Sequence, residues 1–428
     1  MVKQIKNKNK WVNGLIPVLL MSFATGSVYC WTLFVDRIEA HSEVFTPAIL
    51  AWCFSLALFC LGISAALGGK LVERDIKKAS LYTFIFFTLG WLLTGVAVYI
   101  ESPLLAIIGF GPIQGVGLGL GYLAPVKTLM MWFHEQKGLA AGIAIAAFGL
   151  SGVFGNPLIE AFLQSGINVY HAFYILTVIY GVACFIAYVL IERPELAGEA
   201  VESEAHTKTY SLAEIVLNKK FILLWFVLFI NIACGLAIIG NERQIYLTLG
   251  LTNDTMIVMF TSLNAFSNLI GRVICGAAQD RTDKKYLPYY VMTVASMIIC
   301  GAAMFLYFGA GTTMMTALTV ATVFGIQFFF GCGFACLPNI LEQEYGMKQL
   351  ATIQGYMLTA WAVAGLVGNQ ISTFIIDREN PGSLNIMYGV LGALYLVQLV
   401  VLVGWVKSRN KASAAATMEV PSHVAVAK

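Results

Sequence analysis

Arg272 is the one charged residue in an apolar run that extends from Thr255 to Gln279. About 20 apolar residues span the hydrocarbon of a bilayer, and a cation in the middle of such a span costs roughly 2.5–3.5 kcal/mol on insertion scales. A residue placed there at that cost is expected to do chemistry. The planar guanidinium can hold a carboxylate with two parallel hydrogen bonds, so an organic anion is the ligand it suits. The structural alternative is an arginine bonded to the backbone carbonyls of a neighbouring helix. Lys127 is a second deep cation, alone between Leu104 and Phe133. It lies six residues before Phe133, about 9 Å from the end of its run at 1.5 Å per residue. It either lines a cavity with Arg272 or reaches back to the interface.

Aromatic residues are the expected wall of such a cavity, because an O–H or N–H can fix a carboxylate while the ring excludes water. The candidates are Tyr29 and Trp31 in the first apolar run, Tyr122 in the fourth, Phe328 to Phe330 in the tenth and Trp361 in the eleventh. Packing explains Trp361 and the phenylalanines equally well. Other chemistries fail on their spacing. Gly115, Gly117, Gly119 and Gly121 in "GVGLGLG" follow no strand and precede no phosphate-binding lysine, so they are read as sites of close helix approach. The five histidines are scattered, which argues against a metal site. No nucleophile–base constellation can be assembled. No enzyme, catalytic residue, metal or cofactor is expected.

The elements that position these residues are membrane helices. Of 428 residues, 59% are hydrophobic and 11% charged, against about 25% charged in soluble domains. Spans are expected near 11–35, 46–68, 80–100, 104–131, 138–160, 170–191, 220–241, 255–279, 288–309, 312–338, 350–376 and 384–406. Runs this uniformly apolar are helices rather than barrel strands. All nine cysteines fall inside them, as core residues rather than a disulfide framework. The first run is too long for the apolar core of a cleavable signal peptide. Lysine and arginine cluster on one side, with Arg37, Arg243 and Arg378 opposite, which places both termini in the cytoplasm. Residues 192–219 are polar and acidic in the middle, as in a flexible linker, and "SLAEIVLNKK" at its end suits a short surface helix.

An internal repeat divides the spans six and six. Gly142, Phe148, Gly152, Gly155 and Asn156 align without a gap with Gly355, Trp361, Gly365, Gly368 and Asn369, and the same offset aligns Pro125 with Pro338. The loops after the second and eighth spans also match: "GKLVERDIKK" from Gly69 and "GAAQDRTDKK" from Gly276. The expected fold is therefore an all-α integral membrane protein of twelve transmembrane helices in two pseudo-symmetric six-helix halves. The expected divisions are residues 1–191 and 220–407 for the halves, 192–219 for a cytoplasmic linker and 408–428 for a cytoplasmic tail. Two such halves with a site between them is the plan of secondary transporters.

The two loops resemble the major facilitator signature. Gly69, Glu73 and Arg74 supply one copy and Gly276, Asp280 and Arg281 the other, with Ile76 and Asp283 replacing the usual second glycine. That resemblance implies a charge-pairing gate on the cytoplasmic side. Within the superfamily, "GSVYCWTLF", "GLGLGYLAPVKTLMMWFHEQKGLAAGIA" and "FFFGCGFACLPNILEQEYG" resemble the oxalate/formate antiporter family, which is related to monocarboxylate transporters. The resemblance implies exchange of small carboxylate anions by alternating access in a cell membrane, with Arg272, Tyr29, Trp31 and Tyr122 at the substrate; the residues themselves add Lys127, Trp361 and Asn268 as candidates. Two departures bear on that substrate. The family's lysine in the eleventh span is absent, since nothing between Gln349 and Ile376 is charged. Asn268 stands where monocarboxylate transporters carry an acid four residues before the arginine, and it cannot hold a proton. The expected partners are small carboxylates and the lipid bilayer, with no nucleic acid and a monomeric protein. A proton-coupled exporter of another solute and a non-transporting membrane anion sensor are the rival readings. An exporter of that kind usually needs an embedded carboxylate, and Asp36, Glu160, Glu242 and Asp377 all lie at outer helix ends.

Overall fold

A computed structural model describes residues 8–194, 209–306, 312–377 and 380–418. Among them, twelve helices are long and apolar enough to cross a membrane: α1 Lys10–His41, α2 Pro47–Arg74, α3 Ile76–Tyr99, α4 Pro103–Trp132, α5 His134–Gln164, α6 Val169–Leu190, α7 Lys219–Ile239, α8 Asp254–Asp280, α9 Leu287–Phe305, α10 Thr313–Tyr345, α11 Leu350–Ile375 and α12 Ser383–Asn410. Each corresponds to an expected span. The largest differences are at α2 and α10, which run several residues further toward the lysine-rich end, and at α1, which runs several residues further at the opposite end. The signature acids Glu73 and Asp280 therefore sit on the last turns of α2 and α8, not in loops as the sequence suggested. Charged residues can continue a helix once it has left the hydrocarbon. The last helix continues to Met418. Arg378, residues 195–208 of the linker and residues 419–428 of the tail lie outside the described residues.

Local signals fix the helix ends. The side chains of Thr46, Ser102, Asn218 and Asn253 accept from backbone N–H groups in the first turns of α2, α4, α7 and α8, satisfying donors that a helix start leaves orphaned. Asp75 ends α2 and caps α3 by accepting from Lys78 N. In the short helix Leu212–Val216, Ser211 and Glu214 form a capping box.

The helices form two six-helix halves that meet along two glycine-lined seams. On one, Gly69 of α2 lies so close to α11 that a Cβ would stand 2.6 Å from Thr352 Cα, and Gly355 of α11 packs on the Ala65 carbonyl of α2. On the other, Gly276 of α8 packs on Gly138 of α5, and a Cβ at Gly142 of α5 would stand 2.6 Å from the Arg272 carbonyl. Gly142 and Gly355 are repeat partners, as are Gly69 and Gly276, so the seams correspond. The glycines of "GVGLGLG" bring α4 onto α2 at Gly115 and Gly119, onto α3 at Gly117 and onto α1 at Gly121. Such contacts supply dispersion where lipid offers no hydrophobic driving force.

Candidate functional site: a buried arginine at the base of a cavity

Between the halves lies a cavity of about 260 Å³, lined at depth by Tyr29, Asn156, Asn268, Arg272 and Gln327. Its mouth carries Asp36, Arg37, Glu160, Glu242, Arg243 and Asp254, at the end of the bundle away from the signature acids. At the lysine-rich end, among the described residues, Glu73 and Asp280 bond across the two halves.

Arg272 is 2% exposed. α8 presents it against α5, where Gly149 leaves space beside Nη1. Nη1 donates to the Ile145 carbonyl, and the guanidinium stands 5.8 Å from the Phe334 ring centre, a cation–π distance. The backbone pairing weighed for this residue is therefore real at one nitrogen. Arg272 Nε has no hydrogen-bond partner among the described residues. Asn268, one turn earlier on α8, donates to Gln327 at 3.1 Å and leaves its Oδ1 without a partner.

A chain of rings runs from Tyr29 in the cavity wall to Phe334 beside Arg272. Tyr29 meets Phe148 at 5.7 Å, Phe148 meets Tyr122 at 5.9 Å, Tyr122 meets Trp361 at 5.3 Å, and Trp361 meets Phe334 at 4.6 Å between ring centres. Tyr29 Oη, Tyr122 Oη and Trp361 Nε1 are all buried without a protein partner. Buried polar groups are nearly always hydrogen-bonded. Here the unpartnered Tyr29, Tyr122 and Trp361 donors and the half-committed Arg272 guanidinium leave hydrogen bonds that the described residues do not complete.

Three sets of candidates lie away from the cavity lining. Lys127 does not face the cavity, nor does it reach water: it forms an ion pair with Glu73 and donates to the Met347 carbonyl at 2.9 Å. Its depth near the end of α4 puts it level with the last turn of α2, where a buried carboxylate is nearer than solvent. Trp31 is also outside the cavity. Its indole donates to Leu50 O at 3.0 Å and its ring lies 4.0 Å from Phe110. Ser27–Trp31 is a 3-10 turn of α1, in which residues two apart point about 240° apart, so Tyr29 and Trp31 face different neighbours. The triplet Phe328 to Phe330 packs between helices, with Phe330 filling the notch at Gly235.

At the lysine-rich end the two signature acids, expected in a charge-pairing element, meet helix starts of the opposite half. Glu73 accepts from Ala351 N at 2.7 Å and Thr352 N at 3.3 Å, capping α11. Asp280 accepts from Gly138 N and Leu139 N, both at 2.8 Å, near the start of α5. Each carboxylate meets the positive end of a helix from the opposite half. Arg74 and Arg281 are exposed at the helix ends.

Sequence reasoning missed Phe334, Gln327, Asn264 and Glu242. Asn264, Asn268 and Arg272 are spaced by four and share one face of α8, a stripe visible in the sequence of which only the lower part was used. Glu242 was set aside as a helix-end residue, yet with Asp36 and Glu160 it faces the cavity. Among the described residues no group of three histidine, cysteine or acidic side chains is placed to hold a metal.

A profile of the Major Facilitator Superfamily matches residues 9–369. The chain is 25% identical over 368 residues to an uncharacterized MFS-type transporter, YhjX, of Escherichia coli (strain K12), covering 84% of this chain and 86% of that protein. It is 23% identical over 369 residues to the oxalate:formate antiporter of Oxalobacter formigenes, covering 86% and 85%. The crystal structure of the transporter FucP in the outward conformation superposes with a TM-score of 0.61 at 15% identity, covering 91% of this chain and 99% of that one. By the span of that match, and by a fold shared with a solved transporter, this chain belongs to the Major Facilitator Superfamily.

Proposed function

We propose that the protein exchanges small organic carboxylate anions across a cell membrane by alternating access, with Arg272 as the carboxylate-binding residue. The observation that carries this reading is the buried guanidinium with an unpartnered Nε, set among the unpartnered Tyr29, Tyr122 and Trp361 donors. A carboxylate would complete these bonds and neutralise the charge. The likeness to a relative named an oxalate:formate antiporter agrees with this reading. Lys127 is engaged with Glu73, so among the described residues Arg272 is the cation at cavity depth. One cation suits a monocarboxylate of the formate, pyruvate or lactate type better than a dianion. In this reading both termini and the 192–219 linker are cytoplasmic, residues 1–191 and 220–407 move as halves, and the monomer is the working unit.

The test is counterflow in proteoliposomes loaded with formate, pyruvate, lactate or oxalate and offered the same labelled anions outside. Exchange of at least one monocarboxylate is expected, stronger than with oxalate. Uptake indifferent to every trans anion would defeat the exchange reading.

A further inference from the structure

We propose that Glu242 is a proton-binding site in the mouth of the cavity, and that an anion binds at Arg272 together with a proton on Glu242. This rests on the anion reading of Arg272 and adds a thermodynamic partner to it. The short helix Glu242–Thr248 follows α7 and turns Glu242 into the cavity that holds Arg272. Asn264, 1% exposed, sets the position of this carboxyl: its Nδ2 donates to Glu242 Oε1 at 3.0 Å and to Tyr246 Oη at 2.8 Å. Asn264 and Arg272 lie eight residues apart on one face of α8, about 12 Å along the axis.

The other charged groups facing this space are already matched. Asp36 of α1 and Asp254 of α8 lie 3.3 and 3.0 Å from Arg243, beside Glu242 on its own helix. Glu160 of α5 lies 3.6 Å from Arg37 of α1. Tyr29 and Arg272 face it from below. Glu242, by contrast, has a neutral amide for a partner, so nothing adjacent compensates its ionised form. Burial pushes this carboxyl up to about 8, against a smaller downward pull from the Asn264 hydrogen bond.

The consequence is electrostatic. Ionised Glu242 and an anion at Arg272 are like charges in one small cavity, so each disfavours the other. Protonated Glu242 is neutral, and the repulsion is gone. The linkage is reciprocal: a proton raises anion affinity by the factor by which the anion raises proton affinity. Every anion then carries a proton taken from, and returned to, the bulk on the side where it binds or leaves. One-for-one exchange moves no net protons, whereas net uptake would carry one proton per anion.

The experiment uses the purified full-length protein and formate, which stays ionised over the range tested. If the anion requires protonated Glu242, the apparent Kd scales with the inverse of the protonated fraction. For a carboxyl near 8 that predicts affinity falling about tenfold from pH 7 to pH 9. In unbuffered solution at pH 8, binding should take up about half a proton per formate, read with a pH indicator. Glu242→Gln should abolish the proton uptake and bind formate at pH 9 about tenfold more tightly than the wild type. Should that variant fail to fold, Asn264→Ser removes the donor that favours the ionised carboxyl and should move the midpoint of the pH dependence upward. Wild-type affinity that is flat from pH 7 to pH 9, no proton uptake, or an unchanged profile in Glu242→Gln would each overturn the proposal while leaving the anion reading of Arg272 intact. Absence of formate binding at every pH would instead defeat the anion reading, and this inference with it.

Discussion

The two seams at the lysine-rich end are built on one plan and charged differently. Glu73 and Asp280 hold corresponding places in the repeat, and each caps a helix of the opposite half. Beside Glu73 stands Lys127, its side chain 5% exposed. Its repeat partner, by the offset that aligns Pro125 with Pro338, is Ile340, an apolar residue 1% exposed. At cavity depth the asymmetry reverses: Arg272 of α8 aligns with Ala65 of α2. The first half thus keeps its buried cation at the lysine-rich end and the second keeps its own against the cavity. Glu73 and Lys127 both belong to the first half, so parting α2 from α11 removes the Ala351, Thr352 and Met347 backbone partners but leaves the ion pair whole. An ionised carboxylate is then never bared in a poorly hydrated seam. Asp280 has no such companion among the described residues.

If the two cations have these separate duties, removing them should give separate defects. Arg272→Gln is expected to abolish exchange, with a loss of about 30-fold or more in transport efficiency, since truncating one side of a buried charged contact costs about 2–5 kcal/mol. Arg272→Lys should keep weak activity, having the charge without the fork. Both variants should still reach the membrane. Near-wild-type exchange by Arg272→Gln would break the comparison at its centre. Lys127→Met should instead bind substrate with little change and lose stability. Breaking a buried pair from one side costs about 3–5 kcal/mol, and Lys127→Met combined with Glu73→Gln should recover much of it. Most cysteines are buried, so a thiol-reactive dye can follow thermal unfolding in detergent. Selective loss of oxalate competition in Lys127→Met, with formate unaffected, would return the lysine to the substrate path.

What the sequence made legible follows from these same residues. A lone cation in an apolar run announces itself, so Arg272 was readable, and the spacing of four brought in Asn268. Depth along a helix was readable only roughly: counting residues set Lys127 near the level of Arg272, whereas its amine pairs with Glu73 on the last turn of α2. Azimuth was not: whether Lys127 faces the cavity or α2 depends on how α4 packs, and its nearest acid is 54 residues away in the chain. Phe334 is one aromatic among many until the fold sets it beneath Arg272. Glu242 is the clearest miss. By position it belongs to a helix end and water, and only the short helix after α7 turns it inward. The twelve spans and the two halves were legible because the bilayer imposes length and apolarity on each run, and no neighbour is needed to see that.

The two capping carboxylates sharpen the comparison at a smaller scale. Asp280→Asn keeps an acceptor but removes the charge at the start of α5. A cap contribution of about 0.5–2 kcal/mol is at stake, less than for Lys127→Met. Opening of the lysine-rich end should become easier, seen as faster alkylation of a cysteine introduced at Asn339, which is 2% exposed and packs beside Gly138 in this seam. A loss of stability as large as that of Lys127→Met would mean that the two seams are equally charged in effect, whatever their sequences.

The smallest expected effects distinguish Tyr29 from Trp31, two residues apart and pointing different ways. Tyr29→Phe removes a hydroxyl that has no protein partner. The fold should lose nothing measurable, while anion affinity should fall about three- to tenfold, the value of one hydrogen bond of about 0.5–1.5 kcal/mol. Trp31→Phe removes the bond to Leu50 O and part of the packing on Phe110. It should lower thermal stability by an amount of that same order or somewhat more and leave the substrate Kd unchanged. The pair is informative because both changes are made on one stretch of α1 and differ only in which way the side chain points. If Trp31→Phe alters substrate affinity and Tyr29→Phe does not, then α1 is rotated in the binding state, and the aromatic floor proposed for the cavity must be drawn with the indole in it.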